Sequence, residues 1–210
     1  MAPENGIEVV ALDAMGVIYR NADDVTELLV PYARAHGSRL EPQRMYELYV
    51  ECSLGRMSAA ELWEWLGTSG ADDEEYCRGF QLTESVLPAL ERLRARGVGL
   101  ACLSNDVSEW SLTLRRMFGL DRYVSTWVIS GDIGVRKPTA DAYAALSRAV
   151  GVDPGGILFV DDRMANVRAA RAAGLGSVLF AVDGRELDDD GRPTLQGMDA
   201  LEAALDGWSS

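Results

Sequence analysis

"VVALDAMGVIYR", residues 9–20, decides how the rest of the chain is read. An apolar run leads straight into an aspartate, then a glycine turn, then more apolar residues, which places Asp13 at the carboxyl end of a buried strand. Four further runs of this kind follow, "VGLACLSN", "YVSTWVIS", "GILFVDD" and "GSVLFAV". Helical patterns separate them, among them "LPALERLRARG", "KPTADAYAALSRAVG" and "NVRAARAAG", with proline and glycine as start and stop signals. This alternation predicts an α/β fold in three layers, a mainly parallel sheet with helices on both faces. Ligands bind beyond the carboxyl ends of the strands in such sheets. Asp13, Ser104 with Asn105, and Asp161 with Asp162 are therefore expected to converge on one site.

Residues 20–82 break the alternation. Four amphipathic patterns succeed one another there, "DDVTELLVPYARAHG", "EPQRMYELYVECSLG", "SAAELWEWLG" and "DDEEYCRGFQL", each opened by Ser, Asp, Glu or Pro. The expectation is a four-helix cap inserted after the first strand, over a core made of residues 1–19 and 83–210. Trp63 and Trp65 cannot share a helix face, so one is expected to pack and the other to face solvent or the pocket. Tyr46 and Tyr49 are read as core. His36 precedes a glycine at a predicted helix end, a capping position, and as the only histidine it leaves a Ser-His-Asp hydrolase without its base. The acidic, turn-rich "VDGRELDDDGRPTLQG" reads as a solvated loop, and "MDALEAALDGW" as a closing helix.

Composition narrows the function. A chain of 210 residues can bury one good-sized core. Its formal net charge of -13, from 33 acidic and 20 basic residues, argues against a nucleic-acid surface, which needs a concentrated positive field. No apolar run is long enough for a membrane span, and "MAPENGIEVV" lacks the basic and apolar segments of a signal peptide, so a cytoplasmic protein is expected. Cys52, Cys77 and Cys102 are odd in number, widely spaced and set in apolar contexts, as small buried hydrophobes are.

Taken one at a time, Asp13 and Ser104 read as turn or cap residues, Lys137 as a solvated lysine, and Asp161 and Asp162 as an N-cap pair. Taken together they are the parts for phosphoryl transfer. Asp13 would be the nucleophile, Ser104 and Lys137 would hold phosphate oxygens, and Asp162 with Asp161 would bind Mg²⁺. A carboxylate-lined site needs such a cation before it can accept an anionic substrate.

These residues resemble the haloacid dehalogenase (HAD) superfamily, in its helical-cap phosphatase-like branch. "LDAMGVIY" is similar to the first motif, D-x-D-G-[TV]; "LSN" resembles the second, "GVRKP" the third, and "VDDRMANV" the fourth, D-D-x-x-x-N, with Asn166 in place. The resemblance runs from Ile7 to about Phe180. It implies an aspartyl-phosphate at Asp13, Mg²⁺ as cofactor with the Met15 backbone carbonyl among its ligands, and a small phosphorylated metabolite as substrate. It also exposes a departure. The family's phosphatases carry, two residues after the nucleophile, the aspartate that protonates the leaving oxygen and activates water; here that residue is Met15. A thioether can do neither, and losing a general acid/base costs roughly 10²- to 10⁴-fold in rate. Three readings follow: a hydrolase with altered proton transfer, a 2-haloacid dehalogenase-like attack on carbon, or a noncatalytic binding or repurposed biosynthetic protein. In the cap, Arg56, in a turn beside Gly55, and Arg20, at the start of the insertion, are candidates to clamp an anionic group, with solvated arginines as the plainer alternative.

Overall fold

The computed structural model describes residues 6–181, 191, 192 and 194–208. Five parallel strands form one sheet in the order β3-β2-β1-β4-β5: β1 Val9–Leu12, β2 Gly99–Ser104, β3 Thr126–Ile129, β4 Ile157–Asp161 and β5 Gly176–Leu179. All five apolar runs read from the sequence are strands. Successive side chains on a strand point to opposite faces, and the core divides accordingly. Val10, Leu12, Leu100, Cys102, Leu158 and Val160 pack on one face against α5 (Val86–Ala95), α6 (Ser108–Met117) and α10 (Leu201–Asp206). Val9, Ala11, Ala101, Leu103, Ile157 and Phe159 pack on the other against α8 (Ala140–Val150) and α9 (Met164–Ala172). These are the three layers the alternation predicts.

Between β1 and β2 the chain makes four helical stretches before α5. They are a π-helical turn Val25–Leu29 running into α1 (Val30–Ala35), α2 (Pro42–Cys52), α3 (Ala59–Trp65) and α4 (Asp73–Cys77). Ser58 and Glu61 form a reciprocal capping box at the start of α3. Entry and exit of this segment are zipped together: Arg20 N–H donates to the Gln81 carbonyl (2.9 Å), Thr83 N–H to that of Ile18 (2.9 Å), and Tyr19 bridges Leu82. The segment thus leaves and rejoins the sheet at one place.

The helical segment is tied to α6 through aromatic rings. Asp73 Oδ1 accepts both the Trp63 and the Trp110 indole N–H, each at 2.7 Å; the two indoles touch each other, and Tyr76 packs against both. Both tryptophans are buried, so removing the shared acceptor strands two N–H groups at roughly 1–3 kcal/mol each. Asp73→Ala is expected to lower stability by about 2–6 kcal/mol in denaturant melts, and Asp73→Asn, which keeps one acceptor oxygen, by less.

Trp63 packs and Trp65 is 64% exposed. His36 caps α1, its Nδ1 bonded to the Tyr32 carbonyl oxygen (2.9 Å). The three cysteines are buried free thiols. Tyr49 is core, but Tyr46 is 43% exposed, because it borders open depressions on both sides, one shared with Glu61 and Trp65 and one with Val25 and Val30. Of "VDGRELDDDGRPTLQG", residues 182–190 and 193 lie outside the described residues; Leu195 is not solvated but buried, paired with Phe180. No helix among the described residues is long and apolar enough to cross a membrane.

Candidate active site

The sheet order places β1 between β2 and β4, and the connections reverse direction there, where a parallel sheet opens its crevice. Asp13 follows β1, Ser104 ends β2, and Asp161 ends β4 with Asp162 just after it, so residues scattered along the chain meet at one edge. Lys137, from the loop between α7 (Ser130–Ile133) and α8, reaches the same point. Its Nζ lies 2.7 Å from Asp13 Oδ1 and 2.8 Å from Asp161 Oδ2. Asn105 holds the lysine in place by a reciprocal pair: its side-chain amide donates to the Lys137 carbonyl (2.9 Å) and its Oδ1 accepts the Lys137 N–H (2.8 Å).

Three carboxylates crowd this point. Oxygens of Asp13, Asp161 and Asp162 all lie within 4.8 Å of one another. Burial raises the Asp13 pKa well above the ordinary carboxylate range, with Lys137 opposing it and the two neighbouring aspartates adding to it. Burial and then Asp161 push Asp162 up to about 6. For Lys137 burial acts downward, yet Asp13 and Asp161 outweigh it and hold the ammonium charged. One lysine thus faces three acids. Asp161 is saturated, with Lys137, the Arg163 N–H (2.8 Å) and Asn166 Nδ2 (3.0 Å to each oxygen) all bonded to it. Asp162 Oδ1, by contrast, is buried with no hydrogen-bond partner. A hard divalent cation such as Mg²⁺ suits this all-oxygen, acid-rich set and the unpartnered Asp162 oxygen.

Gly16 permits the close approach. Its φ is +78°, and a Cβ there would collide with the Asp162 carboxylate.

A cavity of about 40 Å³ lies against Asp13, Met15, Ser104, Asn105, Lys137 and Asn166. Ser104 Oγ, at its wall, is buried without a hydrogen-bond partner, a donor in waiting. The structure does not bring the two arginines chosen from the sequence to this cavity. Arg56 is paired with Glu51 (2.8 Å) beside a separate surface depression, and Arg20 bonds the Gln81 side chain (2.8 Å). Other residues line the cavity instead: Asp23, Asp24, Val25, Tyr46, Tyr49, Arg136 and Arg163. Arg136 stacks over the Tyr49 ring (5.6 Å) and bonds the Ser53 hydroxyl, while Arg163 donates to the Ala22 carbonyl (3.1 Å), so both basic groups link the helical segment to the strand ends. Arg136 stands next to Lys137 and Arg163 next to Asp162. Adjacency to the motifs was the available signal for both.

Comparison with known proteins agrees with this geometry. Residues 7–174 match the family described as haloacid dehalogenase-like hydrolase. Phosphatase MT3486 of Mycobacterium tuberculosis is 35% identical over 123 residues, 57% of this chain and 54% of that protein. Phosphoglycolate phosphatase 1 of Pseudomonas aeruginosa is 33% identical over 106 residues, 49% and 39% of the two chains. The chain thus spans about half the length, or less, of these relatives. A HAD family enzyme from Bacteroides thetaiotaomicron, solved in complex with magnesium and inorganic phosphate, has the same fold, with a TM-score of 0.69 at 20% identity over 85% of this chain and 96% of that one. With the match covering most of its length and its strand ends assembled in this way, the chain belongs to the haloacid dehalogenase-like hydrolases.

Proposed function

We propose that the protein is a Mg²⁺-dependent phosphohydrolase of a small phosphorylated metabolite, acting through an aspartyl-phosphate at Asp13. The observation that carries this reading is the pinning of Lys137 between Asp13 and Asp161 beside an unpartnered Asp162 oxygen. In this reading residues 1–19 and 83–210 are the catalytic core and residues 20–82 its cap. Asp13, Asp162 and the Met15 backbone carbonyl would hold the cation, with Asp161 braced by Asn166 behind them. When bound, Mg²⁺ neutralises the repulsion between carboxylate and phosphate and stabilises the charge of the transferring group.

Asp13 Oδ1 is held by the Ala14 N–H (2.6 Å) and by Lys137 (2.7 Å) at the wall of the cavity. Ser104 Oγ and Lys137 Nζ supply hydrogen bonds to phosphoryl oxygens, preorganised because Asn105 locks the lysine backbone. A cavity of about 40 Å³ favours a small substrate, since a single water needs roughly 10–15 Å³. Phosphatase names among the relatives point the same way. Attack on carbon, as in a haloacid dehalogenase, leaves three crowded carboxylates without a purpose, because a departing halide needs no cation to balance it. A noncatalytic role leaves the unpartnered Ser104 and Asp162 oxygens unexplained.

The test is a panel of an aryl phosphate, an acyl phosphate, a sugar phosphate and a 2-haloacid, assayed with Mg²⁺ and with EDTA. Phosphate release that depends on Mg²⁺ is expected. Halide release in EDTA would replace this reading with dehalogenation, and silence on every compound would reject hydrolysis of these classes.

A further inference from the structure

Met15 deprives the site of a carboxyl two residues after the nucleophile, yet the same cavity holds another that none of the motifs contains. Asp24 stands at the start of the π-helical turn, is only 5% exposed, and lines the cavity together with Asp13, Ser104 and Lys137. Its Oδ2 is buried and has no hydrogen-bond partner. A buried carboxyl oxygen without a partner is costly, roughly 1–3 kcal/mol or more, and here a group entering the cavity would relieve it. Its neighbour Asp23 also lines the cavity, but it is exposed and its Oδ1 already accepts the Thr26 N–H (3.2 Å), so only Asp24 offers a buried, unpartnered oxygen there.

We propose that Asp24 is the proton donor and acceptor that the Met15 position lacks, brought to the reacting phosphoryl group by the helical segment instead of the strand end. The inference rests on the phosphohydrolase reading above. In the first step an Asp13 oxygen attacks phosphorus, the bond from phosphorus to the leaving oxygen breaks, and that oxygen takes the proton of the Asp24 carboxyl. In the second, water attacks the phosphorus of the aspartyl-phosphate and gives its proton to the Asp24 carboxylate. The bond from phosphorus to Asp13 then breaks, releasing inorganic phosphate and regenerating both aspartates. The groups around Asp24 suit an acid that must also act as a base. Burial raises its pKa to about 6, the Tyr49 hydroxyl partly offsetting this, with Asp23 adding to it and Arg163 and Arg136 opposing it. Asp106 and Tyr76 also face it from behind β2 and from α4. A group titrating near 6 has both forms at hand close to neutral pH.

The test is rapid-quench kinetics with an aryl phosphate and Mg²⁺ on wild type, Asp24→Asn, Met15→Asp and the double variant. An aryl oxide leaves without an acid, so Asp24→Asn is expected to release a burst approaching one phenolate per site and then stall at the phosphoenzyme. Its steady-state kcat should fall roughly 10²- to 10⁴-fold and its KM with it, because the phosphoenzyme accumulates, leaving kcat/KM for the aryl phosphate little changed. The double variant, with a carboxyl returned at position 15, is expected to recover turnover. Turnover of Asp24→Asn within about twofold of wild type would overturn the proposal. So would a loss of kcat with neither burst nor recovery, which would make Asp24 a part of the pocket wall only. A silent wild type beside an active Met15→Asp would reject Asp24 while leaving the Asp13 chemistry standing. Silence of both would reject the phosphohydrolase reading and the inference with it.

Discussion

Replacement of Asp13 by asparagine is expected to reduce Mg²⁺-dependent phosphate release by about 10⁴-fold or more, the scale on which removal of a covalent nucleophile acts. The amide is nearly isosteric with the carboxylate but neutral, so it can still sit against the Ala14 N–H and cannot form an acyl phosphate. The structure also fixes the expected effect on stability. Asp13 shares its site with Asp161 and Asp162, and burial together with those neighbours holds its pKa well above the ordinary range. A carboxyl whose folded-state pKa is raised contributes fully below its unfolded value and loses that contribution as pH rises through the folded value. At neutral pH the carboxylate therefore opposes folding, and Lys137 keeps Asp161 as partner when Asp13 is neutral. The variant is expected to unfold at or above the wild-type temperature. An inactive protein with an early thermal transition would mean that the loss of activity reflects misfolding, and mass spectrometry of acid-quenched wild type should locate the phosphoryl group on Asp13.

The second large effect is expected at Lys137. Its ammonium is buried, bonds two carboxylates at 2.7 and 2.8 Å, and lies over the Phe159 ring (5.1 Å). Lys137→Met keeps the length and apolar stem of the side chain but leaves Asp13 and Asp161 without their cation. Breaking a buried pair in this way costs about 3–5 kcal/mol, a fall in Tm of about 10 °C for a chain of this size. Activity should vanish as well, since the same group holds a phosphoryl oxygen. Acid should narrow the stability gap. Without Lys137 the Asp13 pKa loses its largest opposing influence and rises further, so the native state of the variant regains stability as pH falls and the carboxyl takes up its proton. Differential scanning calorimetry of both proteins between pH 5 and pH 8, spans chosen to bracket roughly the middle of the stable range, measures this. A gap that widens on acidification would contradict the uncompensated-carboxylate explanation.

Both effects depend on residues legible in the sequence. Asp13, Ser104 and Asp161 each end a run of apolar residues, and in a parallel sheet such ends lie together whatever their separation along the chain. Lys137 stands out only as one of a set, and Asn166 only through the resemblance to the fourth motif; the reciprocal bonds to Asn105 and the brace on Asp161 depend on loops that no periodicity describes. Arg56 shows the limit from the other side. It stands in the turn between α2 and α3, as "SLGRMS" suggests, but Glu51 on the preceding turn of α2 takes its guanidinium.

Asp24 shows it most clearly. In "DDVTELL" two adjacent aspartates open a helix, and either can be read as the cap. Both line the cavity, and the fold separates them by burial: Asp23 stays exposed and bonds a helix N–H, while Asp24 is buried beside Val25. The sequence by itself determined the five strands, the four helical stretches after β1 and the aspartates at the strand ends, because backbone periodicity and burial are local and leave their pattern in residue order. Tertiary structure alone decided which residues face those aspartates from the helical segment. That choice depends on how the helices dock across the sheet edge, a long-range contact with no period of its own.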